Sequence, residues 1–342
     1  MWVRNAWYVA GWAEEFVPGT LHARTVIGEP LVIYRCADGG LVCLEDRCCH
    51  RFAPLSRGRL EGDELRCMYH GLKFGRDGRC TEIPGQSTIP ERACVRTFAA
   101  VESGCWLWIW MGDQAAADPA GIPNTVARDD PEWHIGTGTL DYAADYRLIN
   151  DNLLDLSHLS FAHEKTLGRG QPRWAEERPD MVRLPRGLRF QRWNRDDPAS
   201  SFLSRFGNSF DVRTGYDYLL PGIFLQRTGW YSAGTADRAG LDLPDEAPHF
   251  VRFDDHAVTP VNERASRYYY VAGGQRSVMD EEAASRMLDF STRAFLEDKD
   301  IIEAQQRVID RDPERPMLPT TLDAGPTRFR RIIDEFLAVE AA

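Results

Sequence analysis

Cys48-Cys49-His50, then sixteen residues, then Cys67-Met68-Tyr69-His70: the reading of this stretch decides the reading of the chain. Its form is C-x-H-x16-C-x-x-H. Two thiolates and two imidazoles on two short loops can hold one metal centre. Cys and His at close spacing often bind structural zinc. Here, however, each loop offers its Cys first and its His second, whereas a zinc finger groups its Cys pair apart from its His pair. Both loops can therefore present sulfur to one iron and nitrogen to another. That is the ligand set of a Rieske-type 2Fe–2S cluster. The flanks, His50-Arg51-Phe52-Ala53-Pro54-Leu55 and Tyr69-His70-Gly71-Leu72-Lys73-Phe74, add weight to the cluster reading.

Outward from these loops, the bulk properties narrow the possibilities. The chain has 342 residues, room for two domains or one large one. Hydrophobic residues at 43% and aromatic residues at 11% suffice for a packed core. A net charge of −11 argues against a general nucleic-acid binder. The opening Met1-Trp2-Val3-Arg4-Asn5 runs straight into a folded-looking segment, so no signal peptide is expected. No apolar run approaches the roughly 20 residues of a membrane helix, so no membrane partner is expected. All eight cysteines lie at or before Cys105. Disulfide scaffolds rarely segregate their cysteines so completely. Beyond the two ligands, Cys36, Cys43, Cys49, Cys80, Cys94 and Cys105 read as small buried thiols in a reducing cytoplasm.

Along the chain, residues 31–35 and 41–45 read as strands joined by Ala37-Asp38-Gly39-Gly40, a hairpin signal. Each ligand loop is expected at the tip of a hairpin. Trp106-Leu107-Trp108-Ile109-Trp110 reads as a strand buried on both faces. Residues 1–112 thus form a small antiparallel β domain. Residues 113–132, rich in Ala, Pro, Asp and Gly, read as a connecting segment. Residues 133–342 mix strands with helices near 147–163, 279–310 and 326–339, an α+β domain whose antiparallel sheet is covered by helices.

A second metal motif lies in that domain: Asp155-x-x-His158-x4-His163. A lone helical His is usually a satisfied polar group. Two His and an acid within nine residues, among Leu and Phe, suggest ligands. Asp155 and His158 share a helix face. His158 and His163 are five apart, about 140° on an ideal helix. They reach one metal only if the helix bends or ends near Ser160 to Ala162. Two imidazoles and a carboxylate would complete the facial triad of a non-haem iron oxygenase. Candidate acids lie in Phe295-Leu296-Glu297-Asp298-Lys299-Asp300-Ile301-Ile302-Glu303, and pattern alone does not choose among the four.

Nearly the whole chain resembles the Rieske non-haem iron oxygenases. Asn5-Ala6-Trp7-Tyr8-Val9-Ala10 and the two ligand loops are most similar to the vanillate O-demethylase and dicamba monooxygenase branch. Many relatives carry Pro where this chain has Cys49 and Met68, so its cluster loops lose some backbone stiffness. The resemblance implies a Rieske domain followed by a helix-grip catalytic domain. It selects Asp298 as the third iron ligand, with Glu297 as the fallback. It gives Asp155 the role of an inter-subunit bridge carrying electrons from a Rieske His to the mononuclear site. Asn152, one helical turn before Asp155, faces the same way and is a candidate for the iron pocket. The stretch His256-Ala257-Val258-Thr259-Pro260 resembles a family stretch that precedes a pocket strand, which leaves His256 as either a substrate contact or a turn histidine; His249, Phe290 and Trp230 are further pocket candidates.

The activity implied is O2-dependent hydroxylation of a small aromatic compound by a terminal oxygenase. For a methoxy-aromatic acid this amounts to O-demethylation with release of formaldehyde. Ring cis-dihydroxylation, N-demethylation, or a Rieske electron carrier without mononuclear iron are the alternatives. No dinucleotide fingerprint is present, so NAD(P)H and flavin would act only through a separate reductase with a ferredoxin-type cluster. A homotrimer in the cytoplasm is expected.

Overall fold

The computed structural model describes residues 1–168, 173–176, 178–200 and 202–341. It divides into two units, Met1–Ala127 with Thr259–Asn262, and Arg128–Val258 with Glu263–Ala342.

The first unit is built from three small antiparallel sheets. In one, the strand Trp106–Trp110 lies between Trp7–Trp12 and Ala100–Ser103, and all five of its residues are buried. Buried indoles remove roughly 150–250 Å² each from water, so this strand anchors the unit. A second sheet orders His22–Val26, Glu29–Arg35, Leu41–Glu45 and Thr97–Phe98. The hairpin expected over 31–45 is present, with Leu31 opposite Glu45 and Arg35 opposite Leu41. A third sheet joins Arg59–Glu61, Glu64–Arg66, Lys73–Phe74 and Cys80–Glu82.

Only one of the two ligand loops sits at a hairpin tip. Cys67 to Leu72 links Glu64–Arg66 to Lys73–Phe74, which pair at Arg66 and Lys73. The first loop instead leads from Leu41–Glu45 to Arg59–Glu61, strands of different sheets. Both sulfurs are thereby inserted into one apolar core with Val32, Tyr34, Leu55, Leu65 and Phe74.

Most of the expected connecting segment belongs to the first unit, as far as Ala127. Asp113 and Asp118 cap single 3-10 turns. The Trp7 indole donates to the Asp118 carbonyl at 2.9 Å and the Trp110 indole to the Asp113 carbonyl at 2.8 Å. Aromatic N–H groups thus hold a stretch whose composition reads as loop. All eight cysteines are free thiols; Cys94 is exposed and Cys49 half-buried, so not every spare thiol is buried as composition suggested.

The second unit is organised on a seven-stranded sheet in the order Trp133–Tyr142, Ala265–Gln275, Phe250–Asn262, Ile223–Ser232, Ser209–Leu219, Gly187–Pro198 and Asp180–Leu184. Alternating burial along Ser209–Leu219 shows one face turned to the core. The long helix Glu281–Ile309 starts at Asp280, whose side chain accepts the Ala283 N–H. Its buried residues Ser291, Ala294, Phe295, Asp298 and Ile302 recur at helical spacing. Ala324–Ala341 is the last helix. The architecture is the expected α+β arrangement. No helix of the described residues is long and apolar enough to cross a membrane.

One expected helix is cut short. The α-helix Tyr146–Leu154 stops at Asp155, which adopts an extended backbone and begins a 3-10 turn, Leu156–Ser160. The Asp155 carboxylate accepts the Ser157 N–H at 2.9 Å. A short acidic side chain that caps the next turn competes with continuation of the helix. The break thus falls five residues before the expected Ser160 to Ala162, and Asp155 and His158 do not share a helix face.

Candidate metal centres and pocket

The two cluster loops fold alike. The Cys48 N–H donates to the Ala53 carbonyl at 2.9 Å, and the Phe52 N–H donates back to the Cys48 carbonyl at 3.0 Å. The second loop repeats this with Cys67, Leu72 at 2.8 Å and Gly71 at 3.1 Å. The residue four after each Cys has positive φ, +58° at Phe52 and +76° at Gly71. In the second loop only Gly fits, because a Cβ on Gly71 would meet Pro84 Cγ at 2.9 Å.

These loops bury both sulfurs and bring the His50 and His70 rings within 4.5 Å, centroid to centroid. Burial pushes the Cys48 thiol up to about 12; the His50 backbone N–H opposes the shift and the Cys67 sulfur adds to it. A thiol so disfavoured as thiolate needs a metal to displace its proton. Burial, then His50 and Arg51, lowers the His70 pKa, which favours the neutral ring a metal requires. Buried sulfurs on one side and solvent-facing imidazoles on the other fit a Rieske cluster.

In the second unit His158, His163 and Asp298 converge: one ligand atom from each lies within 4.8 Å of the others. Each imidazole is fixed through Nδ1. His158 Nδ1 is 2.6 Å from the Asp155 carbonyl oxygen, and His163 Nδ1 is 2.7 Å from Glu297 Oε2. Both bonds put the ring proton on Nδ1 and leave Nε2 as a lone pair. The two Nε2 atoms lie 3.5 Å and 3.0 Å from the same oxygen, Asp298 Oδ1. His163 Nε2 is buried, and despite that proximity it lacks the orientation of a hydrogen bond. Close but misaligned contact of two lone pairs is the geometry of co-ligands around a cation. Burial alone would lower the His163 pKa, yet Asp298 and then Glu297 outweigh it and hold the value up. The site favours positive charge even when bare.

Other residues complete the surroundings. Asn152 Nδ2 donates to Asp298 Oδ1 at 3.0 Å and lies 3.4 Å from His158 Nε2. The Thr166 hydroxyl donates to Glu297 Oε2 at 2.6 Å. Glu297, the fallback ligand, therefore stands behind His163 instead. Its orienting role and that of Thr166 escaped the sequence reading, because neither has a motif spacing of its own. Asp155 meets His158 through its backbone, while its side chain lines a separate hollow of about 90 Å³.

Beside these residues lies a cavity of about 610 Å³ lined largely by aromatic and apolar groups, among them Phe224, Trp230, Phe250, Phe290 and Phe295. Asn152 and His256 line it too; His249 lies elsewhere, with Nε2 3.0 Å from the Ser232 hydroxyl and its ring against Phe206. His256 is 4% exposed. Burial, then the Arg252 charge, drives its pKa down to about 3, so it is neutral. The Tyr268 hydroxyl lies 2.7 Å from His256 Nδ1. A buried hydroxyl with this one partner donates to it, which places the imidazole proton on Nε2, an atom with no partner among the described residues.

A β domain suited to a Rieske cluster, followed by a sheet-and-helix domain with a His, His, Asp centre, is the layout of an iron oxygenase. Comparison with known proteins agrees. Residues 6–99 match the Rieske 2Fe-2S domain family, and residues 142–339 match the vanillate O-demethylase oxygenase C-terminal domain family. The chain is 38% identical to the toluene-4-sulfonate monooxygenase system iron-sulfur subunit TsaM1 of Comamonas testosteroni, over 99% of this chain and 98% of that protein. It is 32% identical to the vanillate O-demethylase oxygenase subunit of a Pseudomonas species, over 99% and 96%. The crystal structure of dicamba monooxygenase bound to dicamba superposes with a TM-score of 0.85 at 29% identity, covering 99% of each chain. The chain belongs to the Rieske non-haem iron oxygenases with a vanillate O-demethylase-type catalytic domain. It is the terminal oxygenase component of a multicomponent monooxygenase, with a Rieske cluster, a mononuclear iron, and a separate reductase to supply electrons.

Proposed function

We propose that this oxygenase hydroxylates the methyl carbon of a ring substituent, methoxy or methyl, on a small aromatic acid. The observation that carries the reading is the pairing of the His158, His163 and Asp298 cluster with a large aromatic-lined cavity. Cys48, His50, Cys67 and His70 are the residues that would hold the 2Fe–2S cluster. His158, His163 and Asp298 would hold the iron. With iron bound there, the centre supplies the oxidising power to insert one oxygen atom into a C–H bond; the balance is R–CH3 with O2, two electrons and two protons giving R–CH2OH and water.

The chain's own residues do the rest. Asp155 and Glu297 orient the ligand rings. Asn152 Nδ2 donates a hydrogen bond to Asp298 Oδ1 and so restrains that carboxylate. His256 offers an Nε2–H to a substrate acceptor. The aromatic wall excludes water and holds the ring.

If the reacting carbon is a methoxy methyl, the product is a hemiacetal that collapses to a phenol and formaldehyde. Relatives named for vanillate and dicamba O-demethylation support this outcome. A relative named for toluene-4-sulfonate suggests equally a methyl carried on the ring. Both are the same C–H hydroxylation. Incubation with the reductase and 4-methoxybenzoate or toluene-4-sulfonate tests it: formaldehyde or a benzyl alcohol supports the reading, and a cis-diol overturns it.

We further propose a head-to-tail homotrimer in the cytoplasm, served by a flavin and ferredoxin-type reductase. In it Asp155 links the Rieske His of one subunit to the iron site of the next. The solvent-facing His50 edge, flanked by exposed Phe52, Met68 and Tyr69, offers a surface for such a contact. Eight free thiols suit a reducing compartment.

A further inference from the structure

One charged group in the cavity wall has no part in the chemistry above. Over the first part of the strand Phe250–Asn262 alternate side chains face the cavity, so Phe250, Arg252, Asp254 and His256 line it together. The Arg252 guanidinium is fixed along one edge. Its Nε donates to Asp254 Oδ2 at 2.7 Å, and its Nη2 donates to Asp254 Oδ1 and, at 3.1 Å, to the Ser291 hydroxyl. Asp254 is 3% exposed, and Gln226 Nε2 lies 3.4 Å from its Oδ2. Among the described residues, Arg252 Nη1 has no hydrogen-bond partner.

Stability does not explain this pair. A buried ion pair roughly breaks even against apolar residues of the same size. Placed in the wall of an aromatic cavity, it removes apolar surface that would hold a ring. Recognition explains it better. A guanidinium clamped by a carboxylate on one edge has already lost its rotamer freedom, and its remaining N–H pair is oriented in advance for an incoming anion.

The rest of the rim points the same way. Arg286 and Arg293 also line the cavity, seven residues apart and thus on one face of the helix Glu281–Ile309. Arg286 pairs with Glu282, whereas Arg293 has no acidic partner among the described residues. The cavity wall also carries Asp197, Asp254 and Asp298; Asp254 is taken up by Arg252 and Asp298 by the centre with His158 and His163, so the Arg252 Nη1 edge and Arg293 are the cationic groups of the wall open to an anion.

We infer that the Nη1 edge of Arg252 binds the carboxylate or sulfonate of the aromatic substrate, with Asp254 and Ser291 as positioning residues. The inference rests on the proposed hydroxylation of an aromatic acid and names the group that selects it. His256 stands two residues beyond Asp254 on the same face and offers its Nε2–H to the same end of the ligand.

Equilibrium binding to the metal-loaded protein, without reductase and without oxygen, tests this. The probes are 4-methoxybenzoate, toluene-4-sulfonate and neutral 4-methoxybenzamide. The wild type should favour at least one anion over the amide by about tenfold or more. Arg252→Gln should weaken that anion by roughly ten- to a hundredfold and the amide by less than about threefold. Arg252→Lys should fall between. The anion that loses more identifies the group, carboxylate or sulfonate.

Should Arg252→Gln fail to fold with Asp254 left unpaired, Arg252→Gln with Asp254→Asn removes both charges and should give the same selective loss. The wild-type comparison needs no variant at all. Equal affinity for anions and amide, or equal losses for both on substitution, overturns the assignment. Iron content and the cluster absorption of the same samples report separately on the oxygenase reading, so a fully loaded protein without anion preference would overturn the role of Arg252 alone.

Discussion

His163 and Glu297 lie 134 positions apart in sequence, and their Nδ1 and Oε2 atoms lie 2.7 Å apart. Glu297 takes the proton-bearing nitrogen of the ring and leaves the other for a metal. Thr166 holds the same carboxylate oxygen. A carboxylate behind a ligating imidazole orients it and raises its basicity, and losing such a partner typically costs about 10–100-fold in metal affinity. Glu297→Ala should weaken mononuclear iron binding by about that factor while leaving the Rieske absorption intact. Iron titration of the purified variant measures it. Complete loss of iron on Glu297→Ala, with Asp298→Ala still binding, would make Glu297 the ligand after all.

The three converging residues make a stricter prediction. His158→Ala, His163→Ala and Asp298→Ala should each abolish turnover and mononuclear iron while keeping both cluster irons. His70→Cys should leave the mononuclear iron in place and lower the cluster potential, because imidazole ligation is what raises it. Metal analysis and EPR of the four proteins check both halves. A colourless wild type holding one zinc would end the cluster reading.

A third test concerns the second ligand loop. Gly71 needs φ of +76°, and its missing Cβ leaves room for Pro84. Gly85 has almost the same φ, +75°, with nothing within 4 Å. Gly85→Ala should therefore cost only the left-handed backbone penalty, about 1–2 kcal/mol. Gly71→Ala should cost more and lower cluster occupancy. Denaturant unfolding and iron content measure the difference. Equal losses at both positions would show that Pro84 imposes no constraint.

These residues also show where the sequence was readable. Cys48, His50, Cys67 and His70 were legible because alternating ligand order is a local pattern. The hairpin over 31–45 and the Trp106–Trp110 strand were legible because burial leaves a periodic or continuous apolar trace. The helix boundary at Asp155 was misplaced because the deciding bond, its carboxylate to the Ser157 N–H, is a choice between two local structures that Asp allows equally. Asp298 was left open among four acids, although a signal existed: it lies three after Phe295 and four before Ile302, in the buried stripe of its helix. Leu296 and Ile301, apolar residues of the same helix, are half-exposed and lie outside that stripe. The orienting role of Glu297, and Thr166 behind it, left no trace in the sequence, since both exist only once distant segments meet.

His256 gives a pH prediction. Its pKa is about 3 in the folded chain, against an ordinary value of 6.5 when unfolded. Between those values the unfolded chain binds a proton that the native chain does not. Its contribution to stability is therefore complete above about pH 6.5 and fades as pH falls toward 3, with a slope of up to about 1.4 kcal/mol per pH unit. His256→Gln should flatten the fall in unfolding free energy between pH 6.5 and 4.5, even if it lowers stability at neutral pH. Parallel pH profiles for variant and wild type would show that His256 charges freely in the native state.

Asp155 carries the most demanding prediction. Its backbone carbonyl, not its carboxylate, accepts the His158 Nδ1–H at 2.6 Å. Its carboxylate Oδ1 accepts the Ser157 N–H at 2.9 Å. Asp155→Asn keeps the carbonyl and can keep the cap, so both metal centres should load normally. What it removes is a negative charge beside a hollow separate from the cavity. If that charge receives a Rieske His from the next subunit, the loss is one hydrogen bond to a charged group, about 1.5–3 kcal/mol. The reductase should still reduce the cluster at the wild-type rate, while transfer onward to the mononuclear iron slows by roughly ten- to a hundredfold. Stopped-flow reduction followed by single turnover separates the two steps. Mixing sharpens the test. Chains with Asp155→Asn retain a cluster, and chains with Cys67→Ala retain an intact Asp155 and iron site. In a mixed head-to-tail trimer some clusters of the first kind face iron sites of the second. Activity should reappear on mixing two nearly inactive parents. Mixed trimers that form and stay inactive, or wild-type turnover by Asp155→Asn alone, would exclude the inter-subunit route.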